Sequence, residues 1–124
     1  MMGRSVTGPE LNRRELDRYV QRVDDRWKIA RALLGGARVD DFKGAGEQRE
    51  RGAEWVVVLV SEHFDGVPWL ERVHTAGSLW DALEMGAHAD VHCYTPAEFD
   101  RKREQLATVR AVVDRGIELT PEPA

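Results

Sequence analysis

The chain has one cysteine in 124 residues, Cys93. That scarcity excludes an intrachain disulfide and any metal site built from cysteines alone. Long apolar runs are also missing. The longest, Trp55-Val56-Val57-Val58-Leu59-Val60, is six residues, where a membrane-spanning helix needs about 20. Met1 to Leu11 holds no apolar stretch of the kind a secretory signal carries, so a cytoplasmic protein is expected. Positive charge is in deficit as well. Eighteen Lys+Arg stand against 22 Asp+Glu, a net charge of −4, whereas a general nucleic-acid binder draws on basic surface.

What is present suits one domain of ordinary size with a real hydrophobic core. The charge is unevenly spread. Residues 1–52 carry 12 basic and 9 acidic side chains, and residues 53–124 carry 6 and 13. An Arg-rich beginning is therefore followed by an acidic remainder, which reads either as chance on a solvated surface or as complementary surfaces for a partner.

Thr7-Gly8-Pro9-Glu10 reads as a helix entry, with a capping threonine and a glutamate three residues on. Leu16, Val20, Val23 and Trp27 follow as one apolar stripe at helical spacing. Ile29 to Leu34, ahead of Gly35-Gly36, either extends that helix or forms a short buried strand, and the strand is the favoured reading. Residues 37–52 are polar and glycine-punctuated, with no periodic apolar face, and read as a long loop. Trp55 to Val60 is the clearest strand, and its unbroken apolar run implies cover on both faces. Pro68 to Leu83 places Trp69, Val73, Ala76, Trp80 and Leu83 on one face of a single helix. His88 to Tyr94 alternates as a half-buried strand. Thr95-Pro96-Ala97-Glu98 opens a last helix carrying Phe99, Leu106, Val109 and Val113, with Gly116 as its stop.

Strands interleaved with helices predict an α/β or α+β sandwich, a short mixed β-sheet packed by helices. The expected division is an N-terminal helical segment over residues 1–27, a main domain over 28–119 and a flexible tail over 120–124.

The chemistry-bearing residues cluster on one strand. His88, Asp90, His92 and Tyr94 share a face by the two-residue period, and Ala89, Val91 and Cys93 share the other. A His-x-Asp-x-His array supplies imidazoles for a transition metal and a carboxylate for most divalent cations. Glu54, at the head of the central strand, is the natural further ligand, because ligands on one strand diverge. The alternative is a polar face satisfied by solvent. Cys93, among apolar strand-mates, reads as a small core residue. Gly44-Ala45-Gly46 lacks the strand–glycine–helix setting that gives phosphate loops their meaning.

Two segments carry a family resemblance. Trp55-Val56-Val57-Val58-Leu59-Val60-Ser61-Glu62-His63-Phe64 is one. Ala89-Asp90-Val91-His92-Cys93-Tyr94-Thr95-Pro96-Ala97-Glu98-Phe99 is the other. With the closing Val112-Val113-Asp114-Arg115-Gly116-Ile117-Glu118-Leu119, they resemble small bacterial nucleotidyltransferase-domain proteins over residues 28–119. The resemblance implies a metal-assisted transfer. Carboxylates from an Asp-x-Asp pair and a later Asp share two Mg²⁺ ions, which hold a nucleoside triphosphate for in-line attack. A Gly-Ser turn after the first strand presents amides and a hydroxyl to the phosphates.

Carried onto this sequence, the turn falls on Gly35-Gly36, which lacks the hydroxyl. The acidic pair falls on Glu54-Trp55-Val56, where Val56 supplies no oxygen, and the later carboxylate is Asp90. The expected catalytic residues are thus Glu54 and Asp90, the nucleotide-binding residues Gly35 and Gly36, and the metal ligands Glu54, Asp90, His88 and His92. Two carboxylates are too few to hold two Mg²⁺ ions against a triphosphate. The expectation is a degenerate member that has lost transfer activity and serves as a binding or partner module. The resemblance places such domains beside all-helical HEPN proteins in toxin–antitoxin-like pairs, and a homo-oligomer is the other arrangement. An active enzyme, moving a nucleoside monophosphate to an acceptor, is the alternative.

Overall fold

In a computed structural model of the chain, residues 11–44 and 53–119 are described. The expected cap at Thr7 lies outside them. The first helix, α1 (Arg13–Trp27), is capped instead by Asn12, whose side-chain oxygen accepts from the Glu15 amide at 3.1 Å. The stripe read from spacing, Leu16, Val20, Val23 and Trp27, is buried, and Tyr19 is buried beside it. Lys28, at a left-handed φ of 60°, ends the helix by donating its amide to the Asp24 carbonyl.

Strand β1 (Arg31–Gly35) follows, so the Ile29–Leu34 segment is a strand as expected. The polar stretch after it is not all loop, because α2 (Ala37–Phe42) occupies its first part. No long periodic face announces a helix of six residues, and its existence depends on a neighbouring strand described below. The remainder of that stretch, residues 45–52, lies outside the described residues.

Strand β2 (Trp55–Val60) is buried at every position. A single 3₁₀ turn, Glu62–Phe64, leads to α3 (Trp69–Ser78). The single helix expected over 68–83 is in fact two, because α3 ends at Ser78 and α4 (Ala82–Met85) starts afresh. Two contacts fix the break. The Trp80 indole N–H donates to the Ala87 carbonyl at 2.9 Å, and the Asp81 carboxylate caps the Glu84 amide at 3.0 Å. Strand β3 (Ala89–Tyr94) then leads into α5 (Pro96–Gln105), whose Thr95–Glu98 capping box is fully formed.

The last helix is also divided. Leu106 takes an extended conformation between α5 and α6 (Ala107–Arg115). The Arg110 guanidinium reaches back to the Arg103 and Glu104 carbonyls, satisfying acceptors that the end of α5 leaves free. Gly116 stops α6 as expected, and a strand that composition does not announce, β4 (Ile117–Glu118), comes after it.

The sheet order is β3-β2-β1-β4. β1 pairs antiparallel with both β2 and β4, and β2 pairs in parallel with β3, so the sheet is mixed. Helices cover both faces. On one side α1, α3 and α4 pack with Ala32, Leu34, Trp55, Val57, Leu59, Val91 and Cys93. On the other, Phe99 of α5 with Val109 and Val112 of α6 packs on Leu33, Val56, Val58, Val60 and Tyr94. This accounts for the unbroken apolar run of β2, which feeds two cores at once. α1 shares the first core with the sheet, and Ser61 fastens the two together by donating its hydroxyl to the Trp27 carbonyl at 2.7 Å. Among the described residues no helix is long and apolar enough to cross a membrane.

Candidate functional site

Gly35, Gly36, Glu54, His88 and Asp90 fall where β1 ends and β2 and β3 begin, with His92 farther along β3 opposite Val58. Gly35 closes β1 opposite Val56, and Gly36 turns the chain into α2 at a φ of 107°. The turn is pressed onto the next strand. A Cβ on Gly36 would lie 2.7 Å from the Glu54 carbonyl oxygen and 2.8 Å from the Trp55 Cα, so only glycine fits. The Ala37 amide donates to the Ala53 carbonyl at 2.9 Å, and the Arg38 amide to the Glu54 carbonyl at 3.0 Å. The Val39 and Asp40 amides both donate to the Gly36 carbonyl at 3.1 Å. The four amides that follow the glycine pair, Ala37 to Asp40, are therefore bonded to the protein's own backbone. The other side of the turn is closed too, since a Cβ on Gly35 would meet Val112 of α6 at 2.8 Å.

Glu54 is half exposed at the head of β2, and its carboxylate accepts from Arg38 Nε at 2.8 Å. The guanidinium also donates toward the Gly86 carbonyl at 3.3 Å and lies 5.9 Å from the centre of the Trp55 indole ring. Val56, at the position that would need a carboxylate, is 5% exposed within the second core.

Asp90 pairs in register with Val56 across the sheet. Its carboxylate lies 3.1 Å from His92 Nε2, and His92 Nδ1 lies 2.9 Å from the Tyr94 hydroxyl. Of the expected row, Asp90, His92 and Tyr94 form a chain of contacts along β3, with Tyr94 itself buried in the second core. Both ring nitrogens of His92 are engaged within that chain. Burial, reinforced by the Asp90 charge, pushes the Tyr94 hydroxyl up to about 12. His88 lies exposed one residue before β3. Among the described residues no three His, Cys, Asp or Glu side chains are grouped to hold a metal ion. The groups present do not fit a two-Mg²⁺ site: Val56 offers no oxygen, Glu54 is matched to Arg38, and Asp90 to His92.

Cys93 faces the first core, fully buried, and burial raises its thiol to about 12. Two arginines that the sequence reading did not single out do much of the organising. Arg38 is one. Arg72 of α3 is the other, buried, donating to the Val67 carbonyl at 2.8 Å, the Cys93 carbonyl at 3.1 Å and Glu98 Oε1 at 2.7 Å. That hydrogen bond from Arg72 is the main reason the Glu98 carboxyl is held below its ordinary range. A signal for Arg72 exists: it lies four residues before Ala76, on the face the helix buries.

Trp69, expected in the core, stands 42% exposed with its ring stacked on Tyr94 at 5.4 Å. Leu83, expected on the same buried face, is 96% exposed because the helix break turns it outward. No family model matches the chain, and no curated protein matches it either.

Proposed function

We propose that this chain is a nucleotidyltransferase-like domain that has lost transfer chemistry and works as a binding or partner module, antitoxin-like in kind. The order of its parts supports the reading: a helix, a strand ending in a glycine pair, a short helix, an antiparallel strand, then a crossover helix and a parallel strand. The observation that carries the loss of transfer is the state of the three carboxylate positions. Glu54 is neutralised by Arg38, Val56 is core, and Asp90 is held by His92. In-line transfer with two metal ions needs several oxygens converging on one point, and here they are spent on separate partners.

The partner, on the family resemblance, is a small all-helical protein of the HEPN type. Exposed apolar side chains such as Trp69 and Leu70 suit such a contact better than they suit water. The decisive experiment incubates the protein with Mg²⁺ or Mn²⁺ and labelled nucleoside triphosphates, alongside calorimetry with ATP. Neither transfer nor binding at millimolar nucleotide is expected. Label transfer that disappears in Asp90→Ala would establish the active enzyme instead. Purification of the native protein with one helical partner in fixed stoichiometry is the expected positive result, and repeated recovery with no such protein counts against the partner role.

A further inference from the structure

We propose, on the reading of the chain as a partner module, that the start of α3 is its docking face. Trp69 and Leu70, with the carboxylates beside them, take a basic amphipathic helix of the partner. Both side chains are left in water, Trp69 42% and Leu70 75% exposed. Trp69 is held in place all the same. Its ring stacks on Tyr94 at 5.4 Å, and the Tyr94 hydroxyl lies 2.9 Å from His92 Nδ1. An aromatic anchor held this way loses little freedom when a partner covers its remaining surface.

Charge names the occupant. From Ala53 to Asp100 the chain carries nine carboxylates and a single Lys or Arg, Arg72. Arg72 is buried and fully engaged, pairing with Glu98 at 2.7 Å and donating to the Val67 and Cys93 carbonyls. Glu62, Asp65 and Glu71 are exposed, and among the described residues none of the three is paired with a cation. Two of them stand at the apolar pair. Glu71 follows Leu70 in the first turn of α3. Asp65 sits in a tight turn closed by the Val67 amide on the Phe64 carbonyl at 2.9 Å. Arg72 ties that turn to α3, through the Val67 carbonyl and through the Phe64 ring 5.7 Å from its guanidinium.

An apolar pair beside uncompensated carboxylates attracts a cationic apolar surface and repels a nucleic acid or an anionic membrane. A second copy presenting the same face would set carboxylates against carboxylates. A helix meets both demands at once, since apolar residues and Lys or Arg three or four positions apart share one side of it.

The probe is a synthetic Leu/Lys amphipathic helical peptide, compared with a Leu/Glu peptide of identical apolar face, added to the purified full chain. Trp69 reports the contact, because Trp27, Trp55 and Trp80 are at most 8% exposed. The Leu/Lys peptide is expected to bind and to shield an indole from acrylamide quenching, an effect absent in Trp69→Phe. Its binding should weaken as salt rises, and the Leu/Glu peptide should not bind. Glu71→Lys and Leu70→Ser should each weaken binding about tenfold or more, with circular dichroism unchanged. Asp114→Lys, the same charge change at an exposed position of α6, should leave it intact. Binding of both peptides alike, binding of neither, or an equal loss in Asp114→Lys overturns the docking face. So does a helical partner, recovered with the native protein, whose binding Glu71→Lys and Leu70→Ser both leave unchanged. The module reading then stands and its surface lies elsewhere. Nucleotide transfer by the wild type would instead overturn the module reading and leave the peptide result untouched.

Discussion

Arg38 Nε donates to the Glu54 carboxylate at 2.8 Å, so the acid at the head of the central strand arrives already neutralised. The pairing also holds the start of α2 to the start of β2, because the backbone amide of Arg38 bonds the backbone carbonyl of Glu54. Both side chains are partly in water, which limits the energy of the ion pair. Arg38→Met is expected to cost about 0.5–1 kcal/mol in urea unfolding. A loss several times larger would mean that the guanidinium's contacts to the Met85 and Gly86 carbonyls carry more than the ion pair does.

The glycine turn is the more demanding feature. Gly36→Ala forces a side chain into a left-handed backbone and into the Glu54 carbonyl. An expected loss of about 2–4 kcal/mol follows from strain and overlap together. Gly44 shares the positive φ but has open space around it, so Gly44→Ala should cost only about 1 kcal/mol. Thermal melts of the two variants side by side check the difference, and equal losses would remove the tight fit at Gly36.

Arg72 ties α3, the outer edge of β3 and the start of α5 together. Arg72→Met leaves the Val67 and Cys93 carbonyls without their donor, at an expected cost of about 2–3 kcal/mol. The same residue sets a pH dependence. Because the Glu98 carboxyl is lowered in the folded chain, its stabilisation is complete above the ordinary carboxylate value. That contribution declines as pH falls through the depressed folded value. Urea midpoints measured against pH should show the wild type losing its advantage over Arg72→Met on the acid side. Parallel curves would deny the coupling.

Cys93 combines full burial with a thiol raised to about 12. A thiolate is the reactive species, so native protein should react with a disulfide reagent only as fast as it opens. Labelling rates should rise with urea in step with unfolding. Rapid labelling in native buffer would contradict the packing of β3.

Much of this arrangement can be read from residue order. The run Trp55 to Val60 announces a strand covered on both faces, and Thr95 with Glu98 announces a capping box. The alternation through Asp90, His92 and Tyr94 announces a polar row. Each of these rests on neighbours in the chain. The features that escape are decided by distant ones. α2 exists because Gly36 can lie against Glu54, and β4 exists because β1 has a free edge for it. The breaks at Leu79 and Leu106 follow from an indole reaching Ala87 and a guanidinium reaching back along α5. At the candidate site the positions of the glycine pair and of Asp90 are legible. The choice of Glu54 by Arg38 is not, since 16 residues separate the two and no periodicity joins them.

The place of β1 in the sheet has a consequence in time. Among the described residues it is the first strand made, yet it lies between β2 and β4. One flank waits for a nearby segment, and the other for the far end, with Arg31 meeting Glu118 87 positions away. Closing so long a loop is entropically slow, so the earliest strand is completed last. During synthesis the chain would therefore carry Ala32 to Leu34 as an open apolar edge until Ile117 and Glu118 have left the ribosome. That interval is when misassembly is most accessible to it.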